Sequence, residues 1–223
     1  QAEDDLTDEV ADVLLENSDY CWRVRYRDES LGWSEWSNPI SFATSESSHS
    51  GNLLLNPGAE LDIDGWTVIE GALESLYDGE CYGISPHSGD KFFAVGGVCE
   101  DNGYGEVYQS IDLSMYSAEI DEGLAFIHFG GYLPNWGGSD KPEFFVQFLD
   151  ISENNISQSE SYYTFNSAWT IFDETYSVPV NTREIHFYML GTRYEGYDND
   201  SYFDDMYLRY SLSEFPCEDD IIL

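Results

Sequence analysis

The stretch NLLLNPGAELDIDGWTV, residues 52–68, decides how the longer part of the chain is interpreted. Its apolar run stops at Asn56-Pro57-Gly58, which favours a turn because proline presets its own φ angle and glycine accepts positive φ angles. The pattern then resumes at Gly65-Trp66. Because the preceding residues, 46–51, are polar and serine-rich, we predict that a linker ends and a separate β domain begins here.

Seven further segments continue this pattern towards the carboxyl terminus. They are short, rich in aromatic residues and separated by Gly, Asn, Asp or Pro; the best helix candidate between them is SMYSAEIDEG, residues 114–123. Many short strands joined by turn residues, without a long helix, are typical of an all-β sandwich. The segments are KFFAVGG, GEVYQSIDL, LAFIHFGGYL, EFFVQFLDIS, TIFDETYSVP, REIHFYMLGTR and SYFDDMYLRY.

The net charge of the chain limits the classes of partner that it can bind. Among 223 residues, 44 are Asp or Glu and 8 are Lys or Arg, which gives a formal net charge of -36. Nucleic acids and anionic membranes are therefore not expected as partners, since phosphate binding needs clusters of Lys and Arg. The acidity fits a solvated surface, carboxylates that bind cations, or both, because a strongly negative field concentrates divalent ions.

The sequence also bears on location. Its apolar runs are shorter than a membrane span, and no basic-then-apolar signal peptide opens it. Four cysteines, none in a CxxC pair, favour disulfides and an oxidising compartment over a zinc site. We therefore expect a mature or excised piece of a secreted or cell-surface protein.

The first 45 residues carry a different pattern. Aromatic and β-branched residues alternate with arginines before a turn, and WSEWS, residues 33–37, opens the next predicted strand. Guanidinium groups on one strand can stack on indole rings from its neighbour, for about 0.5–2 kcal/mol per contact. One face holds Tyr20, Trp22, Val24 and Tyr26, and the other holds Cys21, Arg23, Arg25 and Arg27, with Trp33 and Trp36 opposite.

These residues resemble the end of a fibronectin type III domain. Tyr20-Cys21-Trp22 matches the Y-x-W of its penultimate strand, and WSEWS matches a motif best known from cytokine receptors. The resemblance implies that residues 1–45 are the C-terminal part of such a sandwich. Either the ladder stabilises a spacer domain or it forms a receptor-like interaction surface. Half a sandwich exposes its inner face and an edge, so residues 1–45 should be supported by something else or be poorly ordered.

Residues 52–211 are similar to galactose-binding-like jelly rolls, above all to carbohydrate-binding modules found beside secreted glycoside hydrolases. The order of motifs carries this resemblance, and the opening motif is also similar to that of the glycoprotein-binding domain attached to some F-box proteins. The two resemblances together imply an all-β chain: a partial fibronectin type III sandwich at 1–45, a linker at 46–51, a jelly-roll module at 52–211 and a tail at 212–223. The matching motifs are NLLLNPGAELDIDGWTV, PHSGDKFFAV, YQSIDL, FGGYL, VQFLD and YFDDMYL.

The resemblance also implies a structural calcium ion between the opening and closing strands. Glu60 stands at the acidic position of the family, and alternation places Asp204 on the inward face with Met206 and Leu208. Backbone carbonyls near residues 88–91, including Lys91, would complete the six to eight oxygen ligands that calcium takes, and Asp205 is a reserve ligand. Alternatively, the two carboxylates only accept backbone hydrogen bonds.

Two disulfide bonds are predicted. Cys81 and Cys99 flank the KFFAVGG strand eighteen positions apart, and a loop of that size gains about 3 kcal/mol in the chain-entropy model when it is closed. Cys21 and Cys217 remain at opposite ends of the chain. They pair with each other, or they are free or partnered elsewhere.

Two loops could hold a sugar, whose rings have apolar faces and hydroxyl rims. Each loop follows a strand, so they could meet at one end of the sandwich. Alternatively, their aromatic side chains cap the core. The candidate ligand-binding residues are Tyr132, Asn135, Trp136 and Asp140 in the first loop, and Arg193, Tyr194, Glu195 and Tyr197 in the second.

We find no nucleophile motif or phosphate loop, and the four histidines show no metal-ligand spacing. The sequence therefore predicts a non-enzymatic protein. The leading hypothesis is a non-catalytic carbohydrate-binding module, with structural calcium, of a larger secreted or cell-surface protein. The alternative is a structural or adhesive module of an extracellular filament or large adhesin, which would assemble through contacts with neighbouring subunits or domains. A third hypothesis is a receptor-like recognition domain that uses WSEWS.

Overall fold

A computed structural model describes residues 18–26, 32–44, 50–100, 102–137 and 139–212. The chain divides into two compact units. One is Gly51–Leu212, and the other comprises Gln1–Ser50 with Ser213–Leu223. The sequence-based domain boundaries stay predictions, and most of the linker and nearly all of the tail lie outside the described ranges. In those ranges, no helix has the length and apolar character needed to cross a bilayer.

The smaller unit contains a two-stranded antiparallel sheet. Strand β1 (Ser18–Trp22) pairs with β2 (Ile40–Thr44). Beyond β1 the chain stays extended: Val24 O accepts Ser37 N at 2.8 Å, and the Ser37 hydroxyl accepts Val24 N at 3.0 Å. Ser34 makes the same two contacts with Tyr26. The serines of WSEWS therefore extend the pairing of these two segments beyond β1 and β2.

Arginine and tryptophan side chains stack on this sheet as the alternation predicts. The guanidinium carbon of Arg25 lies 4.3 Å from the ring centroid of Trp33 and 4.4 Å from that of Trp36. Arg23 lies 4.7 Å from the Trp36 centroid, while Arg27 falls outside the described residues. The ladder is present, but two strands are common to many sandwiches, so the fibronectin assignment stays a prediction.

The larger unit is built from short strands, as the sequence predicts. Among its described residues, the helical segments are two 3-10 turns, Glu80–Tyr82 and Ser114–Tyr116, and one five-residue helix, α1 (Ser117–Asp121). The strands are β3 (Thr67–Glu70), β4 (Leu73–Tyr77), β5 (Lys91–Val95), β6 (Tyr104–Asp112), β7 (Ala125–Leu133), β8 (Lys141–Leu149), β9 (Asn155–Gln158), β10 (Tyr162–Tyr163), β11 (Thr170–Ser177), β12 (Glu184–Thr192) and β13 (Tyr202–Leu212).

These strands form two antiparallel sheets. One has the order β10-β8-β12-β6-β3, with β9 also paired to β8, and the other has the order β11-β7-β13-β5-β4. Sequence neighbours rarely pair within a sheet, so the chain crosses repeatedly between the two layers. This arrangement confirms the all-β fold class and the jelly-roll architecture of the larger unit.

Aromatic side chains fill the space between the sheets. Phe129 of β7 packs edge-on against Phe144 of β8 and Phe187 of β12, at centroid distances of 6.1 and 6.4 Å. Trp66, from the opening segment, is buried beside Phe93 and Phe187 and donates its indole N–H to Asn56 O at 3.2 Å. Trp66 therefore belongs to the core between the sheets.

The opening segment is fastened to the closing strand β13. Asn52 donates its amide to Met206 O at 2.9 Å and accepts Leu208 N at 3.0 Å, while Leu53 N donates to Leu208 O at 2.8 Å. A bulge in β13 interrupts its register with β7 between Asp204 and Tyr207. Opposite the bulge, Gly131 has a φ of 149°, and a Cβ there would clash with Met206.

The Cys81–Cys99 disulfide is present, with Cα atoms 5.4 Å apart, which confirms the first predicted pairing. Cys21 is also in a disulfide bond. Its predicted partner, Cys217, lies outside the described residues, so this second pairing stays a prediction.

Candidate functional site

Asp204 holds one loop against the closing strand. Its side chain is fully buried, and its carboxylate accepts the backbone N–H groups of His87 at 2.8 Å, Ser88 at 3.1 Å and Asp205 at 2.8 Å. The predicted face of Asp204 is wrong, however: the β13 bulge breaks the alternation, so Asp204 stands opposite Tyr132, whereas Met206 and Leu208 point into the core between the sheets. Burial raises the pKa of Asp204 to about 6, even though the three N–H groups act in the opposite direction.

Glu60 holds the next part of the same loop. Its Oε1 atom accepts Asp90 N at 2.8 Å and Lys91 N at 3.1 Å. Gly89 has a φ of 63°, and a Cβ there would clash with the Glu60 carboxylate. Glu60 and Asp204 thus bind opposite ends of the five-residue segment 87–91, and this segment joins the opening strand region to the closing strand.

Asp205 and Lys91, the other predicted calcium ligands, have partners of their own. The Asp205 carboxylate accepts the Ser88 hydroxyl at 2.7 Å and lies 2.6 Å from His87 Nδ1. The Lys91 ammonium pairs with Asp62. Glu60, Asp204 and segment 87–91 together form the seam between the opening and closing parts of the larger unit. The His87 ring also stacks on Tyr132 with centroids 3.5 Å apart, which places Tyr132 beside this seam.

Side chains alone do not complete a calcium site at the seam. Within the described ranges, no group of three or more His, Cys, Asp or Glu side chains could hold a metal ion. Segment 87–91 presents backbone N–H groups to both carboxylates. A calcium ion would need most of its oxygen ligands from backbone carbonyls and water.

The two predicted ligand loops do come together, and Asp140 joins them. Its Oδ1 atom accepts Tyr194 N at 2.8 Å and Glu195 N at 3.3 Å, and its Oδ2 atom accepts Asp200 N at 2.9 Å. Asp140 stands just before β8, and the other three residues follow β12. One carboxylate therefore connects the loop before β8 to the loop after β12.

Two of the predicted ligand contacts are wrong. Asn135 and Asp140 are each 1% exposed, so neither side chain reaches a ligand at the surface. The Asn135 amide donates to Asp140 O, and Asn135 N donates to Asn166 O at 2.8 Å. Both residues are inside because the loop backbone turns N–H and C=O groups inward, and buried backbone groups require partners.

Other predicted ligand residues remain at the surface of these loops. Trp136 is 56% exposed, Tyr194 is 62% and Tyr197 is 83%. Glu195 is also exposed. The Arg193 guanidinium donates to Tyr197 O, so it shapes the loop that presents the tyrosines. Three aromatic rings are therefore exposed on two loops that are fixed to each other.

The sequence-based search missed a strip of aromatic rings on the outer face of the sheet that contains β8, β12 and β6. Tyr188 stacks on Phe145 with centroids 4.8 Å apart and on Tyr108 with centroids 5.5 Å apart. Tyr108 also contacts His186 at 4.5 Å. Alternation within each strand was visible in the sequence, but only the strand register places these rings in one row.

Carboxylates lie beside this strip. Glu106 and Glu143 both stand opposite Leu190, one on each side of β12. Glu143 pairs with Lys141 at 2.8 Å, and Glu106 accepts the Tyr104 hydroxyl at 2.8 Å. Burial and this hydrogen bond raise the pKa of Tyr104 above its ordinary value, so its hydroxyl stays a donor. The face combines ring edges, phenols and carboxylates.

Comparisons with known proteins place the fold. No protein-family model matches the chain, and no curated protein matches it. One similar solved structure is the enzymatically active domain of bacteriophage CBA120 tailspike protein 4, at 14% identity and a TM-score of 0.53. The match covers 73% of this chain but only 21% of the tailspike chain.

Another similar structure is the carbohydrate-binding module named Family 16 Carbohydrate Binding Module-2. It has 18% identity and a TM-score of 0.50, and the match covers 70% of this chain and 99% of that one. At these identities the similarity shows the fold. It supports the jelly-roll architecture found for Gly51–Leu212.

Replacing Asp204 by alanine tests the seam. The change removes the acceptor of three backbone N–H groups from a fully buried position. We expect the free energy of unfolding to fall by about 2–4 kcal/mol, because each buried N–H group left without a partner costs on the order of 1 kcal/mol or more. Urea unfolding followed by tryptophan fluorescence measures the change.

Asp64→Ala is the matched control, because Asp64 is exposed and its carboxylate accepts no hydrogen bond from the described residues. We expect its effect to stay within about 0.5 kcal/mol. An Asp204→Ala protein as stable as this control would contradict the role given to the seam.

Proposed function

We propose that Gly51–Leu212 is a non-catalytic carbohydrate-binding module of a larger secreted or cell-surface protein. The observation that carries the proposal is the exposure of Trp136, Tyr194 and Tyr197 on two loops joined by a buried carboxylate. Aromatic faces pack against the apolar faces of sugar rings, and neighbouring polar groups bind the hydroxyl rim. Similarity of fold to a carbohydrate-binding module supports the proposal.

The outer face of the sheet would extend this binding surface. Lys141, which begins β8, pairs with Thr192, which ends β12, so both loops leave the sheet at the same end. Along the face, Tyr188 and Tyr108 offer phenol hydroxyls, and Glu106 and Glu143 offer acceptors for sugar hydroxyls. With a net charge of -36, the module should prefer a neutral glycan over an anionic one.

The proposal of a binding rather than a catalytic role rests on the carboxylates near the strip. Glu106 and Glu143 lie on strands separated by β12, which is about 10 Å at ordinary strand spacing. Each of these carboxylates also has a partner: Lys141 pairs with Glu143, and Glu106 accepts the Tyr104 hydroxyl. Asp140, the carboxylate that joins the exposed loops, is buried.

We also propose a structural calcium ion at the seam between Glu60 and Asp204. Burial raises the pKa of Asp204 to about 6, so a nearby cation would stabilise its ionised form. Of the two carboxylate oxygens of Glu60, Oε1 accepts the hydrogen bonds from described residues and Oε2 accepts none of them, so Oε2 could bind the ion. Backbone carbonyls and water would supply the remaining oxygens.

An adhesive or structural role is the second candidate. Trp22, Val24 and Ile40 are exposed in the two-stranded unit, and Trp22 stands directly opposite Ile40. An apolar sheet face of this kind is suited to contact with a neighbouring subunit. Pairing between strands of different subunits within residues 18–44, together with absence of glycan binding, would favour this role.

Trp136→Ala tests the proposed glycan site. The substitution removes an exposed aromatic ring, and we expect affinity for the bound glycan to fall at least about tenfold, as for loss of an aromatic anchor. Affinity electrophoresis in hydroxyethylcellulose, glucomannan and galactan gels measures the change, with polygalacturonate as the anionic comparison.

The control is Ile151→Ala, because Ile151 is 78% exposed and follows the opposite end of β8. We expect this variant to bind as the wild type does. If the wild type binds none of these polysaccharides, or if Trp136→Ala binds all of them unchanged, the proposed site is rejected.

Calcium removal tests the proposed ion. If calcium is present at about 100 times its dissociation constant, it should stabilise the fold by about 2.7 kcal/mol. We therefore expect the unfolding temperature to fall by roughly 5–10 °C when EDTA replaces calcium. Differential scanning calorimetry of the wild type and Glu60→Gln, each with calcium and with EDTA, measures this. Equal temperatures for the wild type under both conditions would contradict the proposal.

A further inference from the structure

We infer that Asp140 is the positioning residue of the glycan site: it holds the Tyr194–Tyr197 loop in its binding conformation before the ligand arrives. This inference rests on the proposed function for the identity of the ligand. Asp140 itself is 1% exposed and does not touch the ligand. Its effect is transmitted through the backbone of the loop that follows β12.

The geometry of the contact supports this role. Asp140 accepts N–H groups at both ends of the exposed loop segment, from Tyr194 and Glu195 on one side and Asp200 on the other. The acceptor and its donors are 54, 55 and 60 positions apart in the chain. The carboxylate thus connects the two ends of the loop segment, and three convergent N–H dipoles stabilise its charge.

Other contacts of this loop lie mostly at its base, although the Arg193 guanidinium also donates to Tyr197 O in the exposed middle. Gly196 has a φ of 76°, a Cβ added there would meet nothing within 4 Å, and Tyr197 is 83% exposed. The neighbouring Asn199 is buried and donates its amide to Gly191 O at 3.1 Å and to Asn102 O at 3.2 Å. The base of the loop is therefore anchored independently, whereas the N–H groups of Tyr194, Glu195 and Asp200 depend on Asp140.

Pre-ordering of this loop should raise affinity. If the loop were not anchored, ordering it on binding would cost about 1–2 kcal/mol of conformational entropy for each residue that becomes ordered. A loop already fixed by Asp140 presents the two tyrosine rings without that cost. An asparagine at position 140 would not replace the carboxylate, because its amide group would turn an N–H towards the N–H of Asp200.

Hydrogen exchange of the free protein tests the positioning directly. In Asp140→Asn and Asp140→Ala, we expect the amides of Tyr194, Glu195 and Asp200 to exchange at least about tenfold faster, because they lose their acceptor. Amides in the middle of β12 should keep their protection. Asp198→Asn is the control, since Asp198 is an exposed carboxylate of the same loop.

A double-mutant cycle with Tyr194→Ala tests the consequence for binding. With the neutral polysaccharide that the wild type binds most tightly in affinity electrophoresis, we expect Asp140→Asn to weaken binding roughly tenfold. Because Asp140 acts through the loop, Tyr194→Ala should add little to Asp140→Asn. A general loss of folding would instead also weaken the binding that depends on Trp136 and on the sheet face. It would also lower the protection of the β12 amides against hydrogen exchange.

The outcomes are distinct. Unchanged exchange at the three amides overturns the positioning role, whatever the glycan result. Faster exchange with unchanged affinity, or fully additive effects of the two substitutions, overturns the link between the loop and the ligand. If the wild type binds no polysaccharide, the proposed function fails and the link fails with it, while the exchange result still decides whether Asp140 fixes the loop.

Discussion

Carboxylates that accept several backbone N–H groups hold the loops of the larger unit in place. Asp204 and Glu60 bind the segment 87–91, and Asp140 binds the loop after β12. Glu74 does the same for Val98, Cys99 and Glu100, at distances from 2.7 to 3.1 Å. Loop N–H groups have no strand partner, so each requires an acceptor from elsewhere when it turns inward.

This use of carboxylates explains part of the acidic composition. A carboxylate has two oxygens and about four acceptor sites, so one side chain can satisfy the N–H groups of a whole turn. The ionised group is stabilised by these dipoles, and basic partners are not needed. At the seam, Asp204 remains costly to ionise because it is fully buried, and this is where a cation would have the largest effect. The same construction at Asp140 fixes a loop whose tyrosine rings, Tyr194 and Tyr197, are exposed.

The sequence was informative where the structure is periodic. Alternation identified the strands, spacing around KFFAVGG identified the Cys81–Cys99 disulfide, and the position of the two loops after strands predicted that they meet. Alternation failed at Asp204, because the bulge in β13 changes the face on which its side chain lies. Loop residues were harder, because the burial of Asn135 and Asp140 depends on where distant backbone groups point. The aromatic strip was missed because it depends on the register of three strands, which alternation within one strand does not specify.

The most direct test of the account is the detection of couplings across hydrogen bonds by nuclear magnetic resonance, between loop amide nitrogens and carboxylate carbons. The account predicts correlations from the Asp140 carboxylate to Tyr194 and Asp200, and from the Asp204 carboxylate to His87. The amide proton shifts of His87 and Ser88 should also follow the titration of the Asp204 carboxylate, whose pKa burial raises to about 6. Absence of the correlations, with amide shifts and exchange rates typical of solvent-exposed loops, would contradict the claim that carboxylates fix these loops.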